Sequence, residues 1–248
     1  MTLNQFYFGW VATAIITFLY LLKQPAPYGR HASRQWGPMM SNKWGWVIME
    51  SFVLVVLYGV LFYYNARLNL QAWVMAGLFT FHYVNRSFIF PFRLKTAGKK
   101  MPVIIALSAM LFNLINGLLI GNFFAKEADY AASWFLDIRF ISGLLVFLIG
   151  MFINWQSDNI LLSLRKPGEA GYKIPTGGFF KYVSCPNLFG EIIEWLGFAL
   201  LTWSVPGLIF FVWTCANVIP RAIAHHQWYM NKFPDYPAAR KAVIPFGV

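Results

Sequence analysis

The sequence predicts an all-α integral membrane bundle of seven transmembrane helices, and three observations carry the prediction. Hydrophobic residues fill 58% of the 248 positions and charged residues only 12%, whereas a soluble domain carries about a quarter charged residues. Apolar windows long enough to cross a hydrocarbon core, which takes roughly 20 residues as helix, recur along the chain. The 20 Lys and Arg residues concentrate in alternate connecting loops, the pattern expected when basic loops stay on the cytoplasmic side.

The windows cover 6–22, 44–64, 72–92, 102–124, 138–164, 188–203 and 206–229. The first lacks a basic leader and a small-residue cleavage site, so it reads as a retained span rather than a signal peptide. The last two are separated only by Ser204 and Val205, which predicts a tight helical hairpin. Lys23, Arg30, Arg34 and Lys43 follow the first window, and Arg93, Lys95, Lys99 and Lys100 the third. Arg165, Lys166, Lys173 and Lys181 follow the fifth, and Lys232, Arg240 and Lys241 the last. The opposite loops offer only Arg67 and Lys126. Seven spans with the N-terminus outside and the C-terminus cytoplasmic put every basic loop on one side. No internal repeat occurs and no segment is large enough for a separate soluble domain, so residues 1–248 read as one membrane domain.

Composition also excludes functions. The net charge of +11 is clustered between apolar runs, which argues for topology and phosphate binding and against nucleic acid. Cys185 and Cys215 form no spacing motif, so no disulfide is expected. Four histidines, His31, His82, His225 and His226, are too few for a di-iron desaturase, and no metal site is expected. Neither a GxGxxG nor a Walker pattern follows a strand.

Polar residues inside apolar spans are costly and mark pathways or sites. Glu50 lies in the second window and Tyr83 and Arg86 share a face of the third. Taken alone, Glu50 is equally explained by an interhelical hydrogen bond, and Tyr83 better by a core tyrosine. Asn154 and Asp158 are one helical turn apart, as are Asn187 and Glu191, with Glu194 close by. Arg221, His225 and Tyr229 recur every four residues. Three such stripes near cytoplasmic helix ends argue for a shared polar cavity. Its mixture of cations, amides and carboxylates suits a nucleotide cofactor better than a bare anion.

Several motifs resemble the steroid 5α-reductase (3-oxo-5α-steroid 4-dehydrogenase) family. They are YGRH from Tyr28, HYVNRSF from His82, LRKPGE from Leu164, Y-x-IP-x-GG from Tyr172, and N-x-x-GEIIEW from Asn187. RAIAHHQWY from Arg221 and DYPAARKAVIPF from Asp235 complete the set. The resemblance spans essentially the whole chain. It implies NADPH-dependent reduction of the Δ4 double bond of a 3-oxo steroid, with residues 1–100 supplying the substrate side and 139–248 the cofactor side. Glu50 and Tyr83 match the pair that holds the substrate carbonyl. Hydride addition to the enone builds negative charge on its oxygen, and donors aimed there lower the barrier. Glu50 then acts as the neutral acid or shares a proton with Tyr83, the expected proton donor. The resemblance assigns the cofactor to Asn154, Asp158, Arg165, Tyr172, Lys173, Asn187, Glu191, Arg221, His225 and Tyr229. Met49 and Lys173 depart from the Gln and Arg of vertebrate members.

Two other enzyme readings keep this fold: reduction of another lipid enone, sterol or isoprenoid, and an isoprenylcysteine-carboxyl-methyltransferase-like activity. A lipid transporter or binding module is the non-enzyme alternative, and a transporter would more readily show a repeated half. The expected partners are a steroid or other lipid enone and membrane lipid, with the protein a monomer. Either a bacterial inner membrane or the endoplasmic reticulum suits such a chain.

Overall fold

A computed structural model describes residues 2–95, 98–164 and 171–247. The helices are α1 (Leu3–Lys23), α2 (Asn42–Tyr63), α3 (Leu70–Val84), α4 (Phe90–Arg93), α5 (Val103–Lys126), α6 (Ile138–Ser163), α7 (Pro186–Thr202) and α8 (Val205–Lys232). Five of them (α1, α2, α5, α6 and α8) are long and apolar enough to cross a membrane, so the chain is an integral membrane protein. The third apolar window is not one regular helix. α3 passes into a π-helical stretch, Asn85–Ile89, and then into α4. α7, at 17 residues, is shorter than the other apolar spans. Large apolar side chains such as Phe8, Ile16, Phe62 and Phe152 point outward, as lipid-facing residues do.

The chain divides into two compact units. One comprises residues 26–142 and 200–207. Here two short strands, β1 (Met39–Ser41) and β2 (Lys100–Pro102), pair antiparallel with Met40 opposite Met101. Each strand leads directly into a helix, β1 into α2 and β2 into α5. The contacts climb in step. Asn113 meets Met49, Gly117 faces Val53 and Val56, and Gly121 faces Val60, so α2 and α5 run parallel. Gly117 and Gly121 make this approach possible, because a Cβ at either would stand 2.9 Å from a valine side chain. The α7–α8 turn belongs to the same unit. Trp203 takes a left-handed backbone at φ 46°, and the Ser204 hydroxyl accepts from Gly207 N at 3.1 Å to cap α8. This is the tight hairpin the sequence predicts. Tyr130 donates its hydroxyl to the Thr202 carbonyl at 2.6 Å and Trp134 donates to Leu201. Burial pushes the Tyr130 phenol above its ordinary range.

The other unit comprises residues 1–25, 143–199 and 208–248. α6 and α7 cross antiparallel at four glycines. Gly150 faces the backbone of Glu194, Gly190 that of Asn154, and Gly197 that of Phe147, with the Gly143 carbonyl alongside. A Cβ on Gly150, Gly190 or Gly197 would fall 2.2–2.4 Å from a backbone nitrogen. Only glycine permits so close a crossing. Trp195 of α7 packs on Phe210 of α8 at 4.5 Å, and Trp10 of α1 on Trp213 at 4.3 Å. The tail returns to this body. Lys241 N donates to Tyr182 O, Ser184 N to Lys241 O and Cys185 N to Ala242 O. Val243 then joins Leu188, Ile192, Val218 and Ala222 in one buried cluster.

Candidate functional site

In the first unit, Glu50 stands on α2, half-buried, and Tyr83 on α3, 4% exposed. Tyr83 is walled by Phe79 and His82, with ring centroids 4.8 and 5.1 Å away. Arg86 sits one turn on, in the π-helical stretch, 7% exposed. Its guanidinium lies over Trp46 of α2 at 4.8 Å and over Phe90 at 4.9 Å. Trp46 is one turn before Glu50 on α2, so Arg86 packs on the α2 stripe that carries Glu50. A Tyr58–Thr80 hydroxyl contact of 2.8 Å adds a second α2–α3 tie. π-helical stretches recur at functional sites because the extra residue re-aims side chains.

The second unit assembles four of the predicted residues into one network. Asn154 and Asp158 of α6 are 1% and 4% exposed. The Asn154 amide donates to the Asn187 carbonyl at 2.9 Å and, more weakly, to the Glu191 carboxylate at 3.4 Å. The Asn187 amide donates to Asp158 at 3.2 Å. The close α6–α7 crossing presses these side chains together. Glu194 is wholly buried on α7. On α8, Arg221 and His225 are half-buried and Tyr229 is 3% exposed. Pro220 precedes Arg221 inside the helix, where it removes one backbone hydrogen bond.

Tyr172 packs edge-on against Trp228 of α8 at 4.7 Å, while Lys173 is exposed. Gly177 and Gly178 follow, at φ 88° and 49°, a left-handed pair that glycine adopts without penalty. Arg165 lies outside the described residues.

The structure also gathers residues that sequence reasoning missed. The Ser184 hydroxyl lies 2.6 Å from His226 Nδ1 and 2.6 Å from the Tyr236 hydroxyl. Tyr236 stacks on Tyr229 at 5.2 Å, with ring planes 10° apart. Arg240, 6% exposed, lies over the Tyr236 ring at 5.2 Å. Its Nε and Nη1 are buried and have no hydrogen-bond partner among the described residues. Ser184 and Tyr236 are 52 positions apart, and no spacing rule links them. Arg240 read only as a topogenic charge.

Linked amides and carboxylates, and a buried guanidinium, are costly inside a helical membrane protein and mark this region as the candidate site. Comparison with known proteins supplies the family. Residues 99–247 match the family model described as 3-oxo-5-alpha-steroid 4-dehydrogenase. The chain is similar to Steroid 5-alpha-reductase DET2 of Gossypium hirsutum, with 43% identity over 94% of this chain and 92% of the relative. It is similar also to 3-oxo-5-alpha-steroid 4-dehydrogenase 1 of Bos taurus, at 41% over 95% and 93%. 3-oxo-5-alpha-steroid 4-dehydrogenase 2 of Rattus norvegicus is 41% identical over 93% and 91%. The chain belongs to the steroid 5α-reductase family.

Proposed function

We propose that this protein uses NADPH to reduce the Δ4 double bond of 3-oxo steroids, giving the 5α-reduced 3-oxo product. Family membership supports the reaction class, and the names of the relatives support the substrate class. The observation that carries the cofactor assignment is the partly buried Asn154–Asn187–Asp158–Glu191 network together with the buried guanidinium of Arg240.

The residues present fit a phosphorylated dinucleotide. Carboxylates accept from ribose hydroxyls and asparagine amides pair with a carboxamide. A buried cation calls for an anion such as a phosphate. Asn154, Asp158, Asn187 and Glu191 hold the polar sugar and amide groups, with Tyr172, His225 and Tyr229 enclosing them. Arg165, Lys173, Arg221 and Arg240 take the phosphates. Bound there, NADPH supplies hydride to the enone β-carbon.

Glu50 and Tyr83 act on the other end of the enone. As the β-carbon gains hydride, the double-bond electrons move to the α-carbon side and onto the carbonyl oxygen. Both residues donate hydrogen bonds to that oxygen and oppose the growing charge. Tyr83 gives its proton to the enolate while Glu50 orients the phenol and returns a proton to it. The enol then becomes the ketone as solvent protonates the α-carbon and the enol O–H proton passes to the Glu50 carboxylate, which restores both residues.

Seven crossings fit this reading. α2 and α5 run parallel, so the chain between them crosses back, through α3 and α4. α6 and α7 run antiparallel, and the α7–α8 hairpin reverses the chain once more, which makes α7 a crossing as well. Basic loops on one side then favour an outside N-terminus and a cytoplasmic C-terminus. The test is NADPH oxidation by purified protein with progesterone or testosterone, followed by product mass. A steroid heavier by two hydrogens supports the reading. NADPH binding without steroid turnover moves the substrate to another lipid enone.

A further inference from the structure

We infer that Asn113 of α5 is a positioning residue for Glu50, acting through the peptide unit that joins Met49 to Glu50. The inference rests on the catalytic reading of Glu50. The Asn113 side-chain amide donates to the Met49 carbonyl at 2.6 Å, and both residues are nearly fully buried, at 2% and 4% exposure. The surroundings are apolar: Met49 packs with Trp46, Met101 and Ala106. An amide buried there has to be partnered, and a leucine of similar size would suit the span better. The amide therefore has a use, and its partner shows what it is.

The Met49 carbonyl and the Glu50 N–H lie in one rigid peptide plane. The carbonyl has a second lone pair beyond its helical bond, and the Asn113 amide takes it. Tethering that oxygen fixes the rotation of α2 about its axis at the point where the Glu50 side chain departs. The tether is itself held still, because Gly117 and Gly121 lock α5 against Val56 and Val60 one and two turns further on. Asn113 is not assigned a contact with the enone or with the carboxylate. It sets where the carboxylate starts, and a displacement of about 1 Å at a reacting group costs on the order of a hundredfold in rate.

A double-mutant cycle tests this, with Asn113→Leu, Glu50→Asp and the pair. Steroid kcat and KM, the NADPH dissociation constant and the thermal midpoint are read for each. Asn113→Leu should lower kcat roughly tenfold or more and leave NADPH affinity within about twofold. In the Glu50→Asp background, where the carboxyl is already displaced, Asn113→Leu should add little. A kcat within about twofold of wild type for Asn113→Leu overturns the inference. So does an equal fold-loss in both backgrounds, which would mean a general effect on folding rather than action through Glu50. Should Asn113→Leu not fold, Asn113→Ala enters the same cycle. If Glu50→Asp and Glu50→Gln both keep wild-type rates, the catalytic reading of Glu50 has failed and this inference falls with it. A damaging Glu50→Gln beside a neutral Asn113→Leu removes the positioning role alone.

Discussion

Asn154 and Gly190 meet backbone to backbone. A Cβ on Gly190 would stand 2.4 Å from the Asn154 nitrogen, and the Asn154 amide reaches past it to the Asn187 carbonyl at 2.9 Å. The crossing that holds α6 against α7 is thus the same contact that assembles the proposed cofactor network.

Gly190→Ala should therefore damage folding and cofactor binding together. Backbone cannot yield as a side-chain tip can, so the cost should reach the upper end of the roughly 1–3 kcal/mol usual for overpacking. Gly77→Ala is the control, since a Cβ there meets nothing within 4 Å, and it should be neutral or slightly stabilising. Thermal unfolding in detergent, with and without NADPH, reads both.

Glu50→Gln and Tyr83→Phe each remove a group assigned to the developing enolate. Each should lower kcat on the order of a hundredfold or more, the usual cost of losing an oxyanion donor. NADPH affinity should stay close to wild type. Stopped-flow oxidation and equilibrium titration separate the two quantities, and wild-type turnover in both variants would refute the pair.

Arg240→Gln keeps size and polarity while removing the charge. If the guanidinium faces a phosphate, the NADPH dissociation constant should rise about tenfold or more, as for a lost charge-assisted hydrogen bond. The thermal midpoint without cofactor should not fall, because an uncompensated buried charge is gone.

A pH effect is expected at Asp137, which lies ahead of α6. The Arg139 side chain hydrogen-bonds it at 2.9 and 2.7 Å, and with the Arg139 backbone N–H it holds the carboxyl near 2, below the ordinary 3.8. A depressed acid stabilises the fold while ionised. That contribution is complete above 3.8 and disappears as pH falls toward about 2. The pair is still partly open to solvent, so the effect is small and salt-sensitive. Comparing thermal midpoints of wild type and Asp137→Asn between pH 6 and 2, chosen to bracket that range, should show the difference shrinking at the acid end.

Much of this was legible in the chain. Long apolar windows translate directly into helices, because lipid leaves the backbone no other way to satisfy itself. The α7–α8 hairpin followed from having only Ser204 and Val205 between two windows. What the windows hid was the π-helical stretch after Val84, since a change of backbone pitch leaves composition unchanged. In the site, Asn154, Asp158, Asn187 and Glu191 stood out as polar residues in apolar runs, and the structure joins them. Ser184 and Tyr236 did not stand out, because hydroxyls in loops are unremarkable until the fold brings them to His226. Asn113 and Asn116 lie in an apolar window and are not among the polar residues the sequence reading singles out; the 2.6 Å contact to Met49 is what gives the first of them a role.

Hydride transfer from NADPH to the β-carbon of a 3-oxo-Δ4 steroid is the proposed reaction. The most direct test uses purified protein, NADPH deuterated at the transferable position of the nicotinamide, and testosterone. Proton and deuterium magnetic resonance then locate the label in the product. One deuterium is expected on the former β-carbon, in the 5α configuration, with solvent hydrogen on the α-carbon. Label elsewhere, a 5β product, or steroid recovered unchanged while NADPH binds would contradict it.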